Sequence, residues 1–143
     1  METKEYLSQI GRLDRAISNK LSELAQYKEL AHSVSAVKNT ERVQSSMSYD
    51  KLGDSVAKIQ ELEKEVDTMI DEYVDKKRKI ISQIDDMENE NTYHILFARY
   101  VEKKTFEVIS IEMNYSFRQT TRLHGRALQE FEQRWGDTYR QMS

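Results

Sequence analysis

Residues 105–128 have the sequence TFEVISIEMNYSFRQTTRLHGRAL, which predicts two helices joined by a tight turn. Thr105 is a good N-cap for the first helix, and Ser116, with Gln119 three residues later, forms a capping box for the second. Only Asn114-Tyr115 separates the two helices, and Asn tolerates the left-handed conformation that such a short turn needs. A short helix, a tight turn and a longer helix together predict a helix-turn-helix.

The same segment resembles the helix-turn-helix of domain four of bacterial sigma factors. In that family a Thr-capped helix carries the pattern T-(apolar)-E-E-(I/V)-(small), and the buried face of the next helix ends in (R/K)-A-L-x-x-(apolar). The match begins at Tyr93, and Ser110 takes the small position where the helices cross. The pattern's buried positions fall on Ile109, Met113, Tyr115, Thr120, Leu123, Ala127, Leu128 and Phe131. The departures are Val108, Asn114 and Thr120.

The whole chain resembles a small family from phages and prophages of Gram-positive bacteria, in which a helical hairpin precedes a module like sigma domain four. Its relatives include the RinA- and ArpU-type regulators, which activate late-gene transcription. The stretches at residues 41–46, 50–59 and 122–128 carry this resemblance. It implies DNA binding, and with it we expect the chain to work in the cytoplasm of a bacterial host.

Composition agrees with a helical chain. Among 143 residues there is no Pro, there are four Gly, and 33% are charged, so a β-sandwich or a doubly wound α/β domain, which need turn residues, is improbable. The absence of Cys excludes disulfide scaffolds and thiolate chemistry. No apolar run approaches the roughly 20 residues that span a bilayer, and the start METKEYLSQI predicts no signal peptide and no membrane association.

Two apolar stripes predict two long helices ahead of this motif. The first helix is expected from about Thr3 to about Val37 and the second from about Leu52 to Met87, while the polar stretch 38–50, which ends in the N-cap residue Asp50, is expected to be a loop. The first stripe comprises Tyr6, Ile10, Leu13, Ile17, Leu21, Leu24, Ala31 and Val34. The second comprises Leu52, Val56, Ile59, Val66, Ile70, Tyr73, Ile80, Ile84 and Met87, with Leu62, Met69, Val74 and Ile81 beside it.

These patterns predict an all-α chain, in which a long antiparallel coiled-coil hairpin precedes a sigma-region-4-like helix-turn-helix. The acidic run 85–91 marks the expected boundary between a hairpin or oligomerisation region, residues 1–90, and a DNA-binding domain, residues 91–143. The stripe of the second helix is wider than one partner helix covers. We therefore expect a homodimer or a higher homo-oligomer.

The start of the last long helix carries the predicted DNA-binding residues. Residues 116–126 contain three arginines and His124 but no acid. Arg can bond guanine bidentately in the major groove, and a helix N-terminus favours phosphate. The resemblance places Phe117, Arg118 and Arg122 at base-contacting positions, and Phe117 also suits a thymine methyl group. The predicted interface with double-stranded DNA comprises Ser116, Phe117, Arg118, Gln119, Thr121, Arg122 and Arg126, with Arg126 assigned to phosphate.

Charge is distributed unevenly along the chain. Residues 1–90 have a net charge of −5 and residues 91–143 a net charge of +2, which argues against indiscriminate coating of nucleic acid but allows a local DNA-binding surface. An alternative interpretation of the arginines is that they only solvate an exposed helix face. The basic run 76–79 is more typical of a solvated helix face than of a nucleic-acid patch.

The sequence predicts no enzyme, no cofactor and no metal site. Glu29 and His32 have the Glu-x-x-His spacing of di-iron bundles, but such sites need a second copy of the motif and two further carboxylates. The acidic run 85–91 lacks the Gly of a calcium loop. With three His, no Cys and no Gly-rich phosphate loop, neither a nucleophile with its base nor a nucleotide pocket is evident.

Two other functions stay open at this point. A small terminase subunit also joins a helix-turn-helix to a helical oligomerisation region, but it assembles into rings that package DNA. A coiled-coil adaptor would hold a protein partner, and its helix-turn-helix would then contact host RNA polymerase or nothing at all.

Overall fold

The computed structural model of the chain describes residues 1–40 and 46–142, with side chains for residues 1–33 and 52–142. Every secondary-structure element in these ranges is helical, so the predicted all-α class is confirmed. The elements are α1 (Thr3–Leu7), α2 (Gln9–Thr40), α3 (Ser46–Asp85), α4 (Glu90–Leu96), a π-helical turn (Phe97–Val101), α5 (Phe106–Met113), α6 (Phe117–Trp135) and a 3₁₀ turn (Gly136–Thr138).

The long helices extend further into the predicted loop than the sequence pattern indicates. Helix α2 ends at Thr40 and α3 begins at Ser46, so the prediction of a loop over 38–50 is wrong at both ends, and Asp50 lies inside α3. Residues 41–45 of that loop lie outside the described residues. The stretch contains neither Pro nor Gly, and ordinary polar residues differ from Ala by less than about 1 kcal/mol in a helix. The loss of an apolar period therefore does not end a helix.

The chain divides into two compact units, which do not follow the expected boundary at residue 90. One unit comprises Met1–Leu13 and Tyr73–Ser143, and the other comprises Asp14–Glu72. The acidic run does end a helix as predicted, because α3 stops at Asp85 and Asn89 caps α4. The Asn89 side chain accepts bonds from the backbone N–H groups of Asn91 and Thr92.

The first unit holds the main hydrophobic core. Helices α1 to α6 all contribute buried residues to it, although the central parts of α2 and α3 do not. The buried members are Tyr6, Leu7, Ile10, Ile80, Ile84, Ile95, Leu96, Ala98, Tyr100, Ile109, Leu123, Ala127, Phe131 and Tyr139. The end of the chain belongs to this core, because Tyr139 stacks on Tyr6 at a centroid distance of 4.3 Å. The Trp135 indole donates to the Gln83 carbonyl at 3.1 Å. The residues after the last long helix thus pack back onto the helices of their own unit.

The second unit, Asp14–Glu72, is built from segments of the two long helices. Ile17, Leu24, Leu62 and Val66 are buried in it, and Lys20–Glu65 and Lys28–Glu63 form ion pairs at 3.3 and 3.6 Å.

The buried line of α3 agrees only in part with the predicted seam, of which Val66, Ile80 and Ile84 are buried. Leu62, predicted beside the seam, is fully buried, whereas the predicted seam members Val56 and Ile70 are 44% and 39% exposed. The apolar stripe of α3 is wider than the surface that one partner helix covers. The sequence therefore does not decide which of its apolar residues are buried, because neighbouring positions on a helix suit the same groove almost equally.

No helix in the described part of the chain is both long and apolar enough to cross a membrane.

Candidate nucleic-acid interface

Capping residues fix the ends of the two helices at the centre of the predicted motif. The Thr105 hydroxyl accepts from the Val108 N–H at 3.3 Å at the start of α5. Helix α5 ends at Asn114, whose φ of 58° and ψ of 41° lie in the left-handed region. The Ser116 hydroxyl accepts from the Gln119 N–H at 3.1 Å, while the Gln119 side chain accepts from the Ser116 N–H at 2.8 Å. The predicted turn and capping box are therefore present.

Helices α5 and α6 cross at small polar residues. The hydroxyl oxygens of Ser110 and Thr120 lie 2.8 Å apart, and both residues are buried. Each hydroxyl also contacts a backbone carbonyl of its own helix, that of Phe106 for Ser110 and that of Ser116 for Thr120. The hydrogen bonds of Thr120 explain how a polar residue is accommodated at a fully buried crossing.

Burial across the motif follows most of the predicted positions. Ile109, Thr120, Leu123, Ala127 and Phe131 are buried, and Met113, Tyr115 and Leu128 are partly buried. The opposite side of α6 is exposed over more than three turns. Arg118, Arg122, Gly125 and Gln129 follow one another on it at helical spacings, flanked by Gln119 and Arg126. No acidic residue occurs between Phe117 and Gln129, so this outward face of α6 is positively charged.

The arginines of the outward face have no carboxylate partner among the described residues. Within the part of the chain that the structure describes, Arg118, Arg122 and Arg126 form no ion pair, whereas Arg134 pairs with Asp86 and Arg140 pairs with Glu132. A guanidinium group without a carboxylate keeps all its donors for an anion or a base edge. This pattern favours an interface over a merely solvated helix face.

Phe117 is the exposed aromatic residue at the start of α6. Its side chain is 52% exposed, and its ring contacts the Phe106 ring edge to face, with centroids 6.3 Å apart. Phe106 is in turn held by the Arg99 guanidinium, which lies 4.1 Å from its ring centroid. The exposed ring therefore rests on a supported aromatic neighbour rather than on a mobile side chain.

Two of the predicted contact residues are partly engaged within α6. The Gln119 carbonyl oxygen is used in the capping box, which leaves its amide NH₂ group for a ligand. The Thr121 hydroxyl donates to the Arg118 carbonyl at 3.0 Å and is only partly exposed. Both residues lie where the sequence places them, beside the arginines, but each presents fewer hydrogen-bonding groups than its residue type suggests.

His124 does not add to the positive charge of the outward face, although the sequence places it among the arginines. It is buried, and its Nε2 lies 2.7 Å from the Tyr100 hydroxyl. Burial, with a smaller contribution from Arg99, lowers the pKa of His124 to about 4. Burial also raises the pKa of Tyr100 to about 12. His124 is thus a neutral core residue that joins α6 to the π-helical turn.

An open cleft of about 650 Å³ lies along the outward face of α6. Its lining includes Asn91 and Tyr115 together with Arg122, Gly125, Arg126 and Gln129 of α6. The sequence prediction missed Asn91, Gly125 and Gln129. For Gly125 a signal was present, because a glycine inside a helix is destabilising and needs a reason.

No group of three or more His, Asp or Glu residues in the described ranges is placed to hold a metal ion.

Comparisons of the chain with protein-family models, with curated proteins and with solved structures found no match.

Proposed function

We propose that the α5–α6 pair is a helix-turn-helix, and that the chain is a non-enzymatic, sequence-specific DNA-binding regulator of phage transcription, of the late-gene activator type. Its ligand is double-stranded DNA, and α6 is the recognition helix in the major groove. The chain acts in the cytoplasm of a bacterial host, with host RNA polymerase as the protein partner of activation.

One observation carries this proposal. Among the described residues, the three arginines on the outward face of α6 have no carboxylate partner, and the helix is free of acids for more than three turns. Arg118 and Arg122 are about 6 Å apart along the helix axis, which is close to the rise of two base pairs. Both therefore suit the edges of base pairs two steps apart, while Arg126 lies a turn further from the helix start and suits phosphate.

The long helices complete the proposal as a coiled-coil hairpin that joins two copies of the chain. Apolar side chains of the second unit are between 39% and 51% exposed in the single chain, namely Leu21, Leu30, Val56 and Ile70. A second copy would remove this surface from water. A dimer would present two recognition helices to two half-sites, as dimeric helix-turn-helix proteins do.

The test of the proposal is the binding of arginine variants to two duplexes. The selected duplex is recovered from a random pool with the wild-type chain, and the mixed-sequence duplex has the same length but no preferred site. Arg118→Ala or Arg122→Ala should cost about 1 to 3 kcal/mol on the selected duplex and relax the preference at one base position. Arg126→Ala should weaken both duplexes similarly and lower the salt slope by about one.

The matched control is Arg140→Ala, which removes the same charge from a residue paired with Glu132 outside the outward face. It should leave both affinities close to those of the wild type. Equal losses on both duplexes for all three face variants would leave only electrostatic attraction. Unchanged affinity in all three would move the site elsewhere, with the basic run 76–79 as the next candidate.

A further inference from the structure

Gly125 is an exposed glycine in the interior of α6, which runs from Phe117 to Trp135. Its φ is not positive, and a Cβ added at this position would meet no heavy atom of the described residues within 4 Å. Neither a turn nor close packing within the chain therefore requires glycine here. Alanine would make a more stable helix at the same position, because glycine has the larger backbone entropy to lose on folding.

The surroundings of Gly125 indicate what this glycine is for. It lies three residues after Arg122 and four before Gln129, on the same stripe of the outward face. The open cleft along this face is lined by Arg122 and Arg126 as well as by Gly125. A gap between two guanidinium-bearing residues, with bare helix backbone at its floor, admits an anionic group closer to the helix than any side chain would allow.

We propose that a phosphate group of the DNA backbone lies against α6 at Gly125 and is held by Arg126, while Arg122 on the other side of the gap contacts a base edge. This inference rests on the proposed function, since it places the DNA backbone on the surface already assigned to DNA. The amide side chains of Gln129 and Asn91, which line the same cleft, supply neutral donors of the kind that position a duplex by its phosphates. Gly125 is in this account the point where the helix and the DNA backbone are closest.

The experiment measures stability and DNA affinity in the same variants. Gly125→Ala should raise the Tm, because it removes a helix-interior glycine that packs against nothing. The same variant should bind both the selected and the mixed-sequence duplex on the order of tenfold more weakly, the effect of losing one charge-assisted contact. Leucine has a helix propensity similar to that of alanine but a larger side chain. Gly125→Leu should therefore lower both affinities further than Gly125→Ala does.

The matched control is Gly53→Ala in α3. Gly53 is also an exposed helix-interior glycine whose added Cβ would meet nothing within 4 Å, but it lies in the other compact unit. This variant should raise the Tm like Gly125→Ala and leave DNA affinity unchanged. The pair therefore separates a loss of binding at Gly125 from any general effect of replacing a helical glycine.

Three results would overturn the inference. If Gly125→Ala and Gly125→Leu bind both duplexes as tightly as the wild type while Arg122→Ala binds more weakly, no phosphate lies at Gly125, although the proposed function stands. If the losses occur only on the selected duplex, the glycine faces a base rather than a phosphate. If the wild type binds neither duplex, the proposed function and the inference both fail.

Discussion

Positive charge on α6 comes from arginine alone, because the local environment separates residues that the sequence places together. Arg118, Arg122 and Arg126 are exposed and have no carboxylate partner in the described residues, whereas His124 is buried against Tyr100. A charged imidazole at that position would lose its hydration without a compensating anion. The charge available to a ligand is therefore that of three guanidinium groups, and Phe117 is the large apolar side chain beside them.

Phe117 is predicted to read thymine through its methyl group. Its exposed ring at the start of α6, supported by Phe106, suits apolar contact with the C5-methyl group in the major groove. Replacing thymine by uracil, one position at a time, in the selected duplex should weaken wild-type binding about fourfold at one position, since a buried methyl contributes about 0.8 kcal/mol. Fluorescence anisotropy titrations measure this loss.

Phe117→Ala should bind the thymine duplex more weakly than the wild type does. The affinity of this variant should be the same for the thymine and the uracil duplex. Val108→Ala is a control, because Val108 is an apolar residue of α5 that is 42% exposed but not on α6; it should keep the wild-type difference between thymine and uracil. A wild-type chain that is indifferent to every uracil replacement would remove this role from Phe117.

Three contacts position helix α6, one near its start, one in its middle and one at its end. The Ser110–Thr120 pair holds the crossing with α5, the Tyr100–His124 pair at 2.7 Å joins the helix to the π-helical turn, and Trp135 bonds the Gln83 carbonyl of α3. Each contact fixes rotation of the helix about its own axis as well as its distance from the core. The outward face is therefore set by polar contacts on the buried side.

The burial of His124 makes the stability of the fold depend on pH. The folded-state pKa of His124 lies at about 4, below its ordinary value of 6.5. As the pH falls through 6.5, His124 therefore becomes protonated in the unfolded chain but stays neutral in the folded chain. The stability is fully present above pH 6.5 and declines until about pH 4. We expect a loss on the order of 2 kcal/mol, measured by urea unfolding monitored with circular dichroism.

Comparison of variants isolates this effect from that of the carboxylates, which also titrate in acid. His124→Gln should show a smaller fall in the free energy of unfolding between pH 6.5 and pH 4 than the wild type. His94→Gln replaces an exposed histidine of α4 and should follow the wild-type curve. Identical curves for wild type and His124→Gln would show that this histidine takes up its proton equally in both states.

At the scale of the molecule, the two compact units differ in how much of their apolar surface is buried. The unit with α4, α5 and α6 buries large aromatic and aliphatic residues around Tyr6, Phe131 and Tyr139. Among its described side chains, the unit of residues 14–72 has few fully buried residues and several half-exposed apolar ones. The second unit is thus the part of the chain with most to gain from a second copy, which supports the proposed dimer.

Ile70 and Leu62 allow the dimer to be tested apart from the fold. Ile70 is 39% exposed in the single chain and Leu62 is fully buried. Ile70→Asp should dissociate the dimer at micromolar concentration while helicity is retained, because its carboxylate is buried only between copies. Leu62→Asp should unfold its unit, since an unpaired buried carboxylate costs about 3 to 5 kcal/mol. Light scattering and circular dichroism give mass and helicity.

A wild-type chain that is a well-folded monomer at micromolar concentration would contradict the dimer. So would an Ile70→Asp chain that stays dimeric. A large ring in the wild type would instead favour the small terminase subunit as the function.

The sequence by itself determined the helical class, the caps at Thr105 and Ser116 and the left-handed turn at Asn114. These features depend on local hydrogen bonds and on apolar spacing, both of which are written in neighbouring residues. The ends of the long helices next to residues 38–50 were predicted wrongly, because polar residues between 38 and 50 carry no signal that stops a helix.

Only the tertiary structure decided which residues of each helix lie against a neighbour. It buried His124 and left the arginines exposed, it buried Leu62 in place of Ile70, and it placed Gly125 in an open cleft between Arg122 and Arg126. The reason is that a helix fixes only the relative angles of its side chains. Which angle faces the core depends on the surfaces of the other helices, and these come from distant parts of the chain.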